Sequence, residues 1–207
     1  MKTLTADQKQ RRERILSSAR EQLSKSGYEG INMRELAVMA DVSTATLYNL
    51  YQSKDTLILA ALQDLLAELN ERAVSTGATG LERWWRRVEI IADQIVDTPR
   101  YAEAMGRMLF TADASDPVVQ ALLGGALGVH QDELDEMKTA GQLAETIDRD
   151  FLARCMASTG WSVILMWMKG YVALHDFKQE YGRNAAYTLI PFLTSEGTNT
   201  VKSYLGE

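Results

Sequence analysis

Apolar residues recur at three- and four-residue spacing along nearly the whole chain, which predicts an all-α fold. Ile15, Leu16, Ala19 and Leu23 share one face of a first helix over about Asp7 to Ser26, ended by Gly27. Leu57, Ile58, Ala61, Leu62, Leu65 and Leu69 form the stripe of a helix that begins after Ser53 and continues to about Thr76. Gly77 to Gly80 reads as a linker, and a fifth helix follows to Asp97. Thr98-Pro99 and Asp116-Pro117 each pair a capping residue with a proline suited to a first helical turn; they open a sixth helix and a seventh ending near Gly141. The ninth helix starts near Lys178 and meets Pro191, and Ser195-Glu196 caps a last short one to Leu205.

The eighth helix, about Asp148 to Leu174, has a different pattern. Cys155, Met156, Trp161, Val163 to Met168, Tyr171 and Val172 point in nearly every direction around its axis. A helix apolar all round is buried all round. A chain of this size covers one side of it, which leaves a face, Ile164 for example, to a second copy; the alternative is a central helix in a monomeric bundle.

Between the first and fourth helices the pattern shortens. Asn32 caps a helix carrying Leu36, Ala37 and Ala40, and Ala40 to Ser43 form a tight turn in which Asp41 takes a left-handed conformation and Val42 points inward. Ser43 caps Thr44 to Tyr51, where Leu47 faces in and Thr44, Thr46, Tyr48 and Asn49 face out. Ser53-Lys54-Asp55 then sets a cation at a helix N-terminus, a placement that opposes the helix dipole and suits a nearby phosphate. Two short helices, the second with polar tips, form a helix-turn-helix suited to a DNA major groove.

Val42-Ser43-x-x-Thr46-Leu47-Tyr48-x-x-Tyr51-x-Ser53-Lys54-x-x-Leu57, with Ile15, Ala19, Leu23, Gly27 and Tyr28 before it, resembles the N-terminal motif of the TetR family of bacterial transcriptional regulators. The likeness covers roughly residues 9 to 62. Asp41 and Ala45 stand where that family tends to have glycine, and Leu50 where histidine is common. The resemblance implies a helix-turn-helix DNA-binding domain over 1–54 and a helical ligand-binding and dimerisation domain over 55–207. It implies a homodimer that binds a palindromic double-stranded DNA operator and is released by a small-molecule effector. Carried over position by position, Thr46, Tyr48 and Lys54 are expected at phosphates, Thr44, Ala45 and Asn49 at bases, and Arg34 at a guanine. Arg34 could instead pair with Glu35 or Asp41. Repression is the expected mode, with activation by the same architecture as the alternative.

The charge distribution agrees. The 207 residues carry a net −6, yet residues 1–54 hold nine Lys/Arg against six Asp/Glu. The remainder holds thirteen against twenty-two, so the basic charge is concentrated where DNA is expected. Lys9, Arg11, Arg12 and Arg14 begin that basic segment. The charged first twenty residues do not read as a signal sequence, the longest apolar run is too short to span a bilayer, and Cys155 is the only cysteine; the expectation is a cytoplasmic protein.

Catalytic chemistry finds little support. No Ser-His-Asp or paired-carboxylate spacing is readable, and two histidines with one cysteine are too few for a Cys/His metal site, so neither cofactor nor metal is expected. A helical small-molecule-processing enzyme is the weaker rival. Asp132-Glu133-Asp135-Glu136 reads as a solvated face, and His175 as a cation at a helix C-terminus. His130 lies on or beside the apolar stripe of the seventh helix, either as a core residue or as an effector contact. With Tyr101 as a second polar handle and Met105 and Trp167 as adaptable wall, it forms the expected site for a largely apolar effector.

Overall fold

The computed structural model describes residues 5–111 and 113–207, so residues 1–4 of the expected DNA-binding segment lie outside it. Among the described residues there are ten α-helices and no strand. They are α1 (Ala6–Ser26), α2 (Met33–Met39), α3 (Thr44–Tyr51), α4 (Lys54–Val74), α5 (Gly80–Asp97), α6 (Pro99–Thr111), α7 (Pro117–Thr139), α8 (Arg149–Met168), α9 (Phe177–Leu189) and α10 (Ser195–Leu205).

Two compact units form. One runs to Ala67 and resumes over Thr98–Ala121; the other comprises Glu68–Asp97 and Leu122–Glu207. In the first, α1 is the centre: Ile15, Leu16, Ala19 and Leu23 are buried, α2 leans on it, and α6 packs along it. The packing unit therefore extends past residue 54 to take in the start of α4 and all of α6. In the second, Trp84, Leu134, Met137, Leu152, Ala153, Ala186, Leu189 and Val201 close a core shared by α5, α7, α8, α9 and α10.

Helix ends follow local chemistry. Gly27, Gly141 and Gly170 all have positive φ, at 67°, 68° and 79°. Gly170 is the one that shortens a helix relative to its hydrophobic pattern. Its N–H donates to Trp167 O at 2.9 Å and that of Tyr171 to Met166 O at 2.9 Å, a Schellman closure that stops α8 at Met168 rather than near Leu174. Pro191 ends α9 at Leu189, and a single 3-10 turn carries the chain through Phe192. α7 contains Gly124, Gly125 and Gly128, and a Cβ at any of them would meet nothing within 4 Å.

α8 is long and apolar enough to cross a membrane by length and composition, in contrast to the expectation from its apolar run alone. In the fold it is a core helix on one side only. Leu152, Met156, Val163 and Ile164 are buried, whereas Phe151, Ser158, Ser162 and Met166 are exposed. Ile164, 8% exposed, points into its own unit, so it is not on an uncovered face. Along the open side Thr159 and Thr188 join α8 to α9 by a 3.0 Å hydroxyl pair.

Candidate nucleic-acid interface

The helix-turn-helix is built from its caps inward. Asn32 Oδ1 accepts from the N–H groups of Arg34 and Glu35, at 2.9 and 3.4 Å, and starts α2. Asp41 takes φ 53°, the left-handed conformation required by the turn, and Val42 N–H returns to Ala37 O at 3.0 Å. Ser43 Oγ accepts from Thr46 N–H at 3.0 Å and pairs with Thr46 Oγ1 at 2.8 Å, which begins α3. Leu47 and Tyr51, one helical turn apart, are the buried side of α3.

The opposite side is open. Ala45, Tyr48 and Asn49 are exposed in a row, flanked by the half-buried Thr44 and Thr46, and Tyr48 keeps 47% of its surface. Arg34 is exposed on α2 and lines the same shallow groove as Tyr48. Glu35 is occupied by Gln22 Nε2 at 3.2 Å, and among the described residues neither Glu35 nor Asp41 pairs with Arg34. Ser53 Oγ accepts from Thr56 N–H at 3.1 Å and starts α4. Lys54 folds back: its ammonium donates to Tyr28 O at 3.2 Å and sits 4.1 Å from the Tyr28 ring centre. Tyr28 in turn donates its hydroxyl to Asp55; burial and that carboxylate push the phenol upward. Lys54 thus arrives anchored, with the rest of its ammonium able to meet a phosphate.

The basic segment is partly spent on the fold. Arg12 reaches Asp64 of α4 at 3.2 Å, and Arg14 Nε donates to Ala40 O at 3.3 Å. Lys9 and Arg11 stay exposed.

The four expected effector residues divide between the two units. Tyr101 and Met105 are one turn apart on α6 and buried in the first unit; the Tyr101 hydroxyl has no hydrogen-bond partner among the described residues. Its burial, opposed by Arg20, raises the phenol to about 12. Trp167 stands edge-on to Phe177, with ring centres 5.8 Å apart, in the second unit. His130, in the same unit, lines a cavity of about 20 Å³ with Trp84, Arg87, Val88, Met156 and Tyr181, room for about one water molecule.

Beside that cavity lies a buried charge cluster that corrects the reading of the 132–136 run at Glu133, while Asp132 and Asp135 are exposed as expected. Glu133 is 1% exposed and receives Arg87 Nε at 2.5 Å and Nη2 at 2.6 Å. His130 Nδ1 lies 3.1 Å from Glu133 Oε2 and 3.0 Å from Arg87 Nη2. Burial pushes the Glu133 carboxyl up, but Arg87 and His130 outweigh it and hold it at about 2. Burial, with Arg87 adding to it, lowers His130 against the opposing pull of Glu133. The sequence did carry a signal: Glu133 is three residues from His130 and adjacent to Leu134, so it shares their stripe. Arg87 carried a signal of the same kind, three residues from Trp84 and adjacent to Val88 on the buried stripe of α5.

The comparisons agree with this geometry. The family described as "Bacterial regulatory proteins, tetR family" matches residues 15–61. The chain is 32% identical over 168 residues to the HTH-type transcriptional repressor KstR of Mycobacterium tuberculosis, covering 78% of this chain and 72% of that one. It is 38% identical over 109 residues to KstR of Rhodococcus jostii, a stretch that spans 52% of this chain and 51% of that protein. Among solved structures, Thermus thermophilus FadR in complex with lauroyl-CoA shares the fold at a TM-score of 0.68, with 22% identity over 88% of this chain and 95% of that one. SmeT, the repressor of a Stenotrophomonas maltophilia efflux pump, does so at 0.71, with 18% identity over 89% and 91%. The chain belongs to the TetR family of DNA-binding transcriptional regulators, which are not enzymes.

Proposed function

We propose that the protein is a homodimeric, one-component cytoplasmic repressor that binds a palindromic operator through residues 1–54 and is released by a largely apolar effector bound within residues 55–207. The observation that carries the reading is the outward row on α3. Ala45, Tyr48 and Asn49 are presented to solvent over a buried Leu47 and Tyr51, with Arg34 sharing the groove of Tyr48. Ala45 and Asn49 meet base edges and thymine methyls, Arg34 a guanine, and Thr44 the edge of the same contact. Thr46, Tyr48 and Lys54 hold the phosphates on either side. KstR, named as a repressor, supports repression over activation.

The exposed Ser162 and Met166 side of α8, with Tyr187 of α9, supports dimerisation through these two helices. An apolar effector is supported by a neighbour of the same fold that holds lauroyl-CoA; the Trp84, Val88, Ile91 and Met156 walls around His130 enclose room for about one water and must part to admit it. Within the second unit Trp167 is the adaptable wall, and within the first Tyr101 and Met105 form a separate candidate contact, the Tyr101 hydroxyl having no partner among the described residues. Binding shifts operator affinity only by the difference in effector affinity between the two conformations.

Selection of duplexes from a randomised pool by the purified protein tests the operator reading. The expected result is a palindrome with half-sites about 34–36 Å apart, or a multiple of that spacing. Failure to enrich any sequence would remove the reading.

A further inference from the structure

α2 begins with a capping sequence, Asn32 followed three residues later by Glu35. In an ordinary capping box the glutamate side chain reaches back to the N–H of the cap residue within the same helix. Here it does not. The Asn32 N–H donates to Gln22 Oε1 of α1 at 3.2 Å, and Gln22 Nε2 donates to Glu35 Oε2 at 3.2 Å. A glutamine from a neighbouring helix has been inserted into the box, and both of its polar ends are used. The two partners, one a donor and the other a carboxylate acceptor, fix which way round the amide lies.

Gln22 is 5% exposed, on the same side of α1 as Leu23 and Ala19. A leucine there would serve the core without the cost of burying an amide. The other end of α2 is held from the same helix, where Arg14 Nε donates to Ala40 O at 3.3 Å. Positions 14 and 22 are about 12 Å apart along α1, and a seven-residue helix is about 10.5 Å long. α1 therefore grips α2 at both termini.

We propose that Gln22 is a positioning residue for DNA recognition: by completing the Asn32–Glu35 cap it locks α2, and with it Arg34 and the turn into α3, in the orientation that fits a major groove. This rests on the operator reading above. Gln22 touches no DNA, since it is buried between α1 and the start of α2. Without it, Glu35 can close the box on Asn32 by itself, so α2 still forms but its N-terminus is no longer tied to α1, which keeps only the Arg14 hydrogen bond at the other end.

The full-length protein is titrated with the duplex that it enriches from a randomised pool and with an unrelated duplex of equal length, while thermal melting is recorded. Gln22→Leu is expected to melt within a few degrees of the wild type and to bind the enriched duplex at least tenfold more weakly, with unchanged affinity for the unrelated one. Gln22→Glu sets two carboxylates against each other and binds the enriched duplex as weakly or worse. Adding Glu35→Gln restores a donor facing an acceptor and brings affinity back to within about threefold of wild type. Wild-type affinity in Gln22→Leu, equal loss on both duplexes, or no rescue by the exchange each overturns the proposal. If the wild type enriches no duplex, the operator reading falls first and the proposal with it.

Discussion

Arg87 and Glu133 meet through two parallel hydrogen bonds, 2.5 and 2.6 Å long, with both side chains nearly sealed from water. A bidentate pair of this kind satisfies both charges only while both are present. Glu133→Gln leaves the Arg87 guanidinium buried without its counter-charge and is expected to cost about 3–5 kcal/mol in chemical denaturation at pH 7. Arg87→Met combined with Glu133→Leu is expected to recover most of that loss. If the double variant is no more stable than Glu133→Gln, the loss does not come from an unpaired Arg87 charge.

The same cluster gives the fold an acid-side weakness. Glu133 is held at about 2 against an ordinary 4.5, so its contribution is complete above 4.5 and is lost as pH falls toward 2. That shift corresponds to about 3 kcal/mol at most. His130 is lowered from 6.5, so the unfolded chain takes up a proton first and stability begins to fall below about 6.5. Melting temperatures measured from pH 7.5 to 3.5 are expected to decline in both windows. The Arg87→Met, Glu133→Leu variant should lose the decline below 4.5, and a profile unchanged by it would clear Glu133 of responsibility.

Tyr101 places a hydroxyl that has no partner among the described residues at a site only 6% exposed. Tyr101→Phe removes the desolvated group at little change in volume and is expected to raise stability by about 1 kcal/mol. If the hydroxyl serves as an effector handle, the same variant weakens effector response while the apoprotein becomes more stable. A fall in stability would mean that the hydroxyl is satisfied in solution.

Lys54 and Arg34 are expected to separate in DNA titrations. Lys54→Ala weakens binding to all duplexes alike and flattens the salt dependence by about one unit. Arg34→Ala relaxes preference at one base pair by about 1–3 kcal/mol. A uniform loss in Arg34→Ala would move that arginine to the backbone.

Two neighbouring residues of α8 distinguish interface from core. Met166, 44% exposed, lies on the open side, whereas Ile164 is buried. Met166→Glu is expected to sediment as a folded monomer, and Ile164→Glu to lose cooperative melting. A dimeric Met166→Glu protein would place the contact elsewhere.

The parts of the chain legible from sequence are those whose structure is set by near neighbours. Asn32, Ser43 and the left-handed Asp41 define α2, the turn and α3 within a few residues of themselves, and α3 runs from Thr44 to Tyr51 as its pattern predicts. What escaped was set at a distance. α8 carries apolar residues past Met168, but the closure at Gly170 overrides that pattern. Glu133 sits in an acidic run, and the counter-charge that makes its burial tolerable comes from Arg87, 46 residues away. Gln22 looked like one more polar residue of α1 because its partners lie 10 and 13 residues on.

α7 carries Gly124, Gly125 and Gly128 where nothing crowds a side chain. No steric demand requires glycine there, and each costs a helix about 1 kcal/mol relative to alanine. The consequence is one of timing. The middle of α7 should fray many times for each opening of the turn around Leu134 and Met137, which the core holds shut. Deuterium should therefore enter the amides of 124–128 well ahead of those at 134–137, and alanine at the three glycines should slow that entry without displacing a single neighbouring atom.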